Sequence, residues 1–250
     1  MNFAAQGMVA QSWLTPEDWF QTNVVAQVKL HNYLKDLDFI DKYVHVTTPE
    51  VYGSTDGWVE ESFNFKPSTP YAVSRASCDL HLMSFLKAYE FPVCFTRAAN
   101  VYGEGQQLYR IIPRALLFSR TGKKMQLHGG GKSVRSFIHI DDVAEATLKI
   151  TLEGNVGETF HISTDEFVSI RGLVQKIVDM TGTNFDEVVT IGEERLGKDQ
   201  AYFLDSAKIR TVLSWADTIS LEQGIEETIG WVRDNLEILR AKEIGYVHKP

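Results

Sequence analysis

Tyr71 and Arg75 are the pair in this sequence best placed to do chemistry. They stand four residues apart, so on a helix they share a face and can point into one cleft. A phenol ordinarily titrates near pH 10. A fixed positive charge beside it favours the phenolate and lowers that value. Such a tyrosine can take the proton of a hydroxyl while the carbon bearing it loses hydride. The same spacing is common on solvated helices, so the pair needs support from its flanks. Other groups offer less. Gly131-Lys132-Ser133 would suit a phosphate loop, but Gln126 stands where that motif needs glycine. Gly103-Glu104-Gly105 has Leu108 where a dinucleotide fingerprint needs its third glycine. His31, His81 and His128 sit in separate segments without ligand spacing, which points to no metal site. The five Trp read as packing residues, and Glu60-Glu61 and Glu193-Glu194 as solvated faces.

The elements that must position the pair follow an α/β pattern, with apolar segments alternating with helical ones. Asn2 to Ala5 reads as the tail of a strand. Thr15 is expected to cap a helix that Pro16 opens and acids follow. That helix is expected to run to about Leu37 with Val24, Val28, Leu30 and Leu34 on its apolar face. Tyr43 to Thr48 is a β-branched strand, and a loop from Pro49 to Ser68 follows. Thr69-Pro70 opens a second long helix that ends near Tyr89, so Tyr71 and Arg75 lie on its first turns. Pro92 to Arg97 reads as a buried strand, residues 108–120 as a helix, and Lys124 to His128 and Ser136 to His139 as short strands. Asp141-Asp142 is expected to cap a helix through Ile150. Thr159 to Ser163 reads as a strand, Ser169 to Thr181 as a helix, and Ser220 to Arg240 as one amphipathic helix.

The bulk numbers set the class. A chain of 250 residues can bury a sizeable core as one large domain or two small ones. Its 44% apolar and 23% charged residues are ordinary for a globular protein. A net charge of -8 without a basic run argues against nucleic acid as a partner. Cys78 and Cys94 make no disulfide framework and read as buried free thiols. No apolar run approaches the ~20 residues of a membrane span, and no basic segment of a signal peptide opens the chain. A cytoplasmic setting is expected, with no membrane partner.

The flanks supply the support that Tyr71 and Arg75 need. Thr47-Thr48-Pro49-Glu50-Val51-Tyr52-Gly53 follows one strand, and Asn100-Val101-Tyr102-Gly103 follows the next. Gly129 to Val143 (GGGKSVRSFIHIDDV), Phe3-Ala4-Ala5-Gln6, Ser12-Trp13, Thr22-Asn23-Val24 and Pro67 to Tyr71 complete the set. In these motifs and their order the chain resembles the extended short-chain dehydrogenase/reductase family. Within it, the nucleotide-diphosphate-sugar 4,6-dehydratases and epimerases are most similar. The resemblance covers nearly the whole chain. It implies a partial doubly wound, Rossmann-type parallel sheet lacking its first strands, plus a smaller mixed α/β substrate-binding lobe. Residues 1–104 would be the remainder of the NAD-binding domain and 105–250 mainly the nucleotide-sugar lobe, with some segments crossing back.

The resemblance also implies roles. Ala4, Ala5, Asn23 and Thr47 would belong to the NAD cleft, with Asn23 in its polar network. Tyr71 would be the base for oxidation at C4, and Arg75 would stand where the family carries the lysine that grips the nicotinamide ribose. Thr48 would bond the reacting hydroxyl, and Glu50 would remove the proton next to the transient 4-keto group. Asn100, Arg135 and Arg195 would hold or close over the nucleotide diphosphate. The helices over residues 16–37 and 70–89 would pair with their copies in a homodimer. Three departures stand out. Arg75 replaces lysine, a fork in place of a compact charge. Pro49 takes the place of the acid that would protonate the leaving C6 hydroxyl. No Gly-rich dinucleotide loop precedes Tyr71, and two βαβ units of ~30 residues each, about 60–80 residues in all, are expected to be missing by truncation. A 4,6-dehydratase-like activity is the first expectation. An NDP-sugar epimerase or UDP-glucuronate decarboxylase is the second, and a truncated or degenerate non-catalytic nucleotide-sugar binder the third.

Overall fold

A computed structural model describes residues 1–55, 57–193 and 203–248. Ten strands are described: β1 (Tyr43–Val46), β2 (Trp58–Val59), β3 (Val93–Ala98), β4 (Asn100–Tyr102), β5 (Met125–His128), β6 (Val134–His139), β7 (Thr159–Ile162), β8 (Phe167–Ser169), β9 (Val189–Gly192) and β10 (Phe203–Leu204). The helices are α1 (Pro16–Phe20), α2 (Gln27–Leu34), α3 (Pro70–Tyr89), α4 (Ile111–Thr121), α5 (Ile140–Glu153), α6 (Ile170–Thr181), α7 (Phe185–Val188), α8 (Ala207–Val212), α9 (Leu221–Asp234) and α10 (Leu236–Arg240).

The central sheet runs β1-β3-β7, all parallel, with Tyr43 opposite Val93 and Phe95 opposite Thr159. Val44, Val93, Cys94, Phe95, Phe160 and Ile162 are fully buried, the continuous apolar run of a sheet covered on both faces. Asn2 bridges His45 on the outer side of β1, and residues 3–5 leave the sheet as an exposed run. The expected strand tail is therefore a single bridge. A second sheet, β4-β6-β8, mixes a parallel and an antiparallel pair, and β5 pairs β9 in parallel. A separate apolar cluster joins α4, α6 and α9 through Leu116, Leu117, Ile177 and Ile225.

Three helices depart from expectation for local reasons. Thr15 makes no capping bond, so α1 relies on Pro16 in the first turn and on Glu17 and Asp18. Residues Gln21–Ala26 widen into a π-helical stretch, and the helix ends at Leu34. Its buried positions are Trp19, Asn23, Gln27 and His31, four apart, whereas Leu30 is exposed. After Trp19 the most buried stripe is thus polar, and the expected Val24, Val28 and Leu34 are half-buried at its flanks. His139, ahead of Asp141 and Asp142, caps α5 by accepting from the Asp141 N–H at 3.4 Å. The expected single C-terminal helix breaks at Asn235. By contrast α3 begins as expected: the Thr69 hydroxyl accepts from Ala72 N–H at 3.1 Å and Pro70 takes the first turn. Glu90 ends it in a left-handed conformation.

Candidate active site

The site is assembled where β1 ends and α3 begins. After Val46 the chain enters a tight turn, Pro49–Tyr52, capped by Thr48, whose hydroxyl accepts from Glu50 N–H at 3.3 Å. Gly53 leaves that turn at φ 69°. A Cβ there would meet the Lys66 carbonyl oxygen at 2.3 Å, so glycine is required. The turn holds Thr48 and Glu50 against the first turns of α3. Tyr71 hydrogen-bonds Thr48 through its phenol and feels the charges of Arg75, Glu50 and Arg110. Four predicted residues, Thr48, Glu50, Tyr71 and Arg75, are therefore brought together.

The electrostatics differ from the expectation. Burial pushes the Tyr71 phenol above its ordinary value, outweighing the opposing pull of Arg75. Arg75 itself is 2% exposed and donates from Nη2 to the Val46 carbonyl. Its Nε and Nη1 have no hydrogen-bond partner among the described residues. The longer guanidinium reaches under the sheet end, where Asp79, one turn further along α3, feels its charge.

The remaining predicted residues are placed unequally. Asn23 is fully buried: its Oδ1 accepts from Gln6 N–H at 2.7 Å, and its Nδ2 donates to the Gln6 carbonyl and to Ser74 Oγ, each at 3.0 Å. Both amide hydrogens are thus spent holding the Gln6 segment to α3. Ala4 and Ala5 are exposed, and the Ala4 carbonyl accepts from Gln27 Nε2 at 3.0 Å. Thr47 donates its backbone N–H to Thr96. Asn100 and Arg135 lie in the second sheet, on β4 and β6. Arg195 lies outside the described residues. Sequence reasoning missed Arg110, the exposed residue ahead of α4, because no motif or periodicity marks it. It also missed Ser12, fully buried, whose Oγ accepts from the Tyr71 N–H at 3.1 Å. Ser12 belongs to a matched motif, which was the available signal.

A parallel sheet covered on both faces, with a tyrosine and a cation on the helix beside a strand-end Thr-Pro-Glu turn, is a Rossmann-type arrangement. The chain belongs to the GDP-mannose 4,6 dehydratase family, whose model matches residues 1–228. It is 32% identical, over 94% of its length and 67% of the relative's, to dTDP-D-glucose 4,6-dehydratase of Mus musculus. It is also 32% identical to a trifunctional enzyme of Arabidopsis thaliana, a UDP-glucose 4,6-dehydratase, UDP-4-keto-6-deoxy-D-glucose 3,5-epimerase and UDP-4-keto-L-rhamnose-reductase. That match covers 95% of this chain but only 36% of the plant protein. The structure of dTDP-glucose 4,6-dehydratase from Streptomyces venezuelae, solved with NAD bound, superposes at TM-score 0.90 with 32% identity, over 94% of this chain and 73% of that one. UDP-glucuronic acid 4-epimerase from Bacillus cereus, in complex with UDP-glucuronic acid and NAD, gives 0.87 at 25% identity over 94% and 74%. Among the described residues no helix is long and apolar enough to cross a membrane.

Proposed function

We propose that the chain acts on a nucleotide-diphosphate sugar, with NAD, as a 4,6-dehydratase. The observation that carries the reading is the hydrogen bond between Tyr71 and Thr48 with Glu50 and Arg75 alongside. It gathers on one strand end a proton acceptor for a sugar hydroxyl and a second carboxylate base. The orphaned N–H groups of Arg75 beside the phenol fit the ribose end of the cofactor, since buried donors without acceptors are costly. Tyr71, Arg75, Thr47 and the exposed Ala4-Ala5 segment would hold it. When bound, NAD supplies the hydride acceptor and donor for C4 and C6.

The chain's own residues do the proton work. Tyr71 takes the C4 hydroxyl proton, and Thr48 orients that hydroxyl. Glu50 then removes the proton on C5, made acidic by the neighbouring ketone, so that the C6 hydroxyl can leave as water. Pro49 has no proton to give that leaving group, so Thr48 or a water supplies it. Asn100, Arg135, Arg195 and Arg110 offer the diphosphate its donors and positive charge. Residues 1–104 serve the cofactor and 105–250 mainly the sugar nucleotide. The exposed Leu30, Tyr33, Leu80 and Tyr89 of α2 and α3 support pairing of these helices in a homodimer. Two free buried cysteines support a reducing, cytoplasmic setting.

Pro49 favours a second reading, an epimerase that oxidises and reduces C4 without losing water. Incubation with NAD and dTDP- or UDP-glucose separates the two by liquid chromatography with mass spectrometry. A dehydrated 4-keto-6-deoxy product supports the first reading, and a C4 epimer of unchanged mass supports the second.

A further inference from the structure

Between β1 and the helices α2 and α3, three side chains from three elements converge. They are His31 of α2, His45 of β1 and Cys78 of α3, each with a ligand atom within 4.8 Å of the others'. All three are fully buried. Their polar atoms are poorly used: His31 Nδ1 and both ring nitrogens of His45 have no hydrogen-bond partner among the described residues. Unpaired buried polar atoms cost free energy, and here ring nitrogens of two histidines converge beside a thiol. Sequence spacing gave no sign of it, because the ligands come from separate elements.

We propose that His31, His45 and Cys78 form a buried three-coordinate site for a soft monovalent metal ion, Cu(I). Imidazole and thiolate are the donors such an ion selects. The surroundings are already arranged as outer partners. His31 Nε2 lies 2.9 Å from the Tyr43 hydroxyl, leaving Nδ1 for the metal. His45 Nε2 lies 3.6 Å from Asp79 Oδ1, the carboxylate–histidine arrangement that orients a ligand ring. Asp79 is in turn held by Arg97 at 3.0 Å.

Charge and coordination number decide against zinc. Arg75 donates to the carbonyl of Val46, next to His45 in β1, and Arg97 lies 3.0 Å from Asp79 beside His45, so both disfavour added positive charge there. Binding of Cu(I) releases the Cys78 proton and forms one S–Cu bond, so the site's net charge does not change. A zinc ion would add one positive charge next to two guanidinium groups. Structural zinc sites also take four ligands almost always, and this group offers three. Two bonds of about 2.1–2.3 Å meeting at one ion keep donors within about 4 Å, so side-chain rotations close the site by about 1 Å. The ion would tie α2 and α3 to β1, behind the turn that carries Thr48 and Glu50. The inference is independent of the dehydratase reading.

The test supplies Cu(I) anaerobically to the purified chain against a chromophoric copper chelator. One equivalent is retained, and Cys78→Ser and His31→Phe each weaken binding by more than about 100-fold. Tyr43→Phe, which removes an outer partner, weakens it by roughly 10–100-fold. Cys94→Ser, whose thiol donates to the Asn155 carbonyl elsewhere, leaves it unchanged. Copper-edge X-ray absorption of the unmodified chain needs no variant and shows one sulfur and two nitrogen neighbours. No retained copper, retention unaffected by Cys78→Ser, a spectrum without sulfur, or zinc held more tightly than Cu(I) overturns the proposal.

Discussion

At Tyr71 two effects of opposite sign meet, and burial wins over the Arg75 charge. The phenol is therefore neutral at pH 7, and a reaction that needs phenolate accelerates as the pH rises. Initial rates measured from neutral into alkaline buffer should climb, and a flat profile would remove Tyr71 as the base. Tyr71→Phe should lower kcat by about 10²–10⁴-fold, the range for a positioned acid or base, with nucleotide-sugar affinity kept, as calorimetry would show. The pair itself was legible, because four-residue spacing on a Pro-initiated helix puts both groups on one side. The direction of the shift was not, since the burial that raises it comes from the fold around α3 and not from helical spacing. Arg110 was invisible for the same reason: it reaches the site from a turn without a pattern of its own.

At the scale of elements, α3 depends on its first turn. Thr69→Ala removes the bond to Ala72 N–H and should cost about 1 kcal/mol, read as a lower urea midpoint with unchanged slope. Asn23→Ala should cost more, about 1–3 kcal/mol, because Gln6 and Ser74 lose their buried partner together. A loss within a few tenths of a kcal/mol would mean that Asn23 does not hold the Gln6 segment. Strands β1, β3, β5, β6 and β7 were readable from apolar and β-branched runs and α3 from Thr69-Pro70, whereas the short β2, β4, β8, β9 and β10 were not. The helix after Pro16 was misread because apolar residues were assigned inward. The structure instead buries Asn23, Gln27 and His31 at helical spacing, each carrying hydrogen bonds to neighbouring segments. Periodicity locates a buried stripe only when that stripe is apolar.

For the whole molecule, buried histidines set the response to acid. Burial pushes His31 down to about 4 and His161 to about 3 from an ordinary value of 6.5. The unfolded chain then binds more protons than the folded one below that ordinary value. Their contribution, a few kcal/mol each, is complete above pH 6.5 and is lost as the pH falls through 6.5 toward 4 and 3. Urea midpoints should decline across that window, and His31→Gln should make the decline shallower. Tyr43, pushed up to about 12, works the other way. Its contribution is present below about pH 10 and is lost as the pH rises toward 12. Light scattering should show a dimer in which Leu80→Glu, on the exposed side of α3, favours monomer.

The most direct measurement incubates the purified chain and its Tyr71→Phe variant with NAD and nucleotide-diphosphate glucose, and follows the sugar by liquid chromatography with mass spectrometry. Loss of water to a 4-keto-6-deoxy sugar, abolished in Tyr71→Phe while the nucleotide sugar still binds, is the predicted result. A C4 epimer, a product formed equally by the variant, or no binding of either nucleotide sugar would contradict the account.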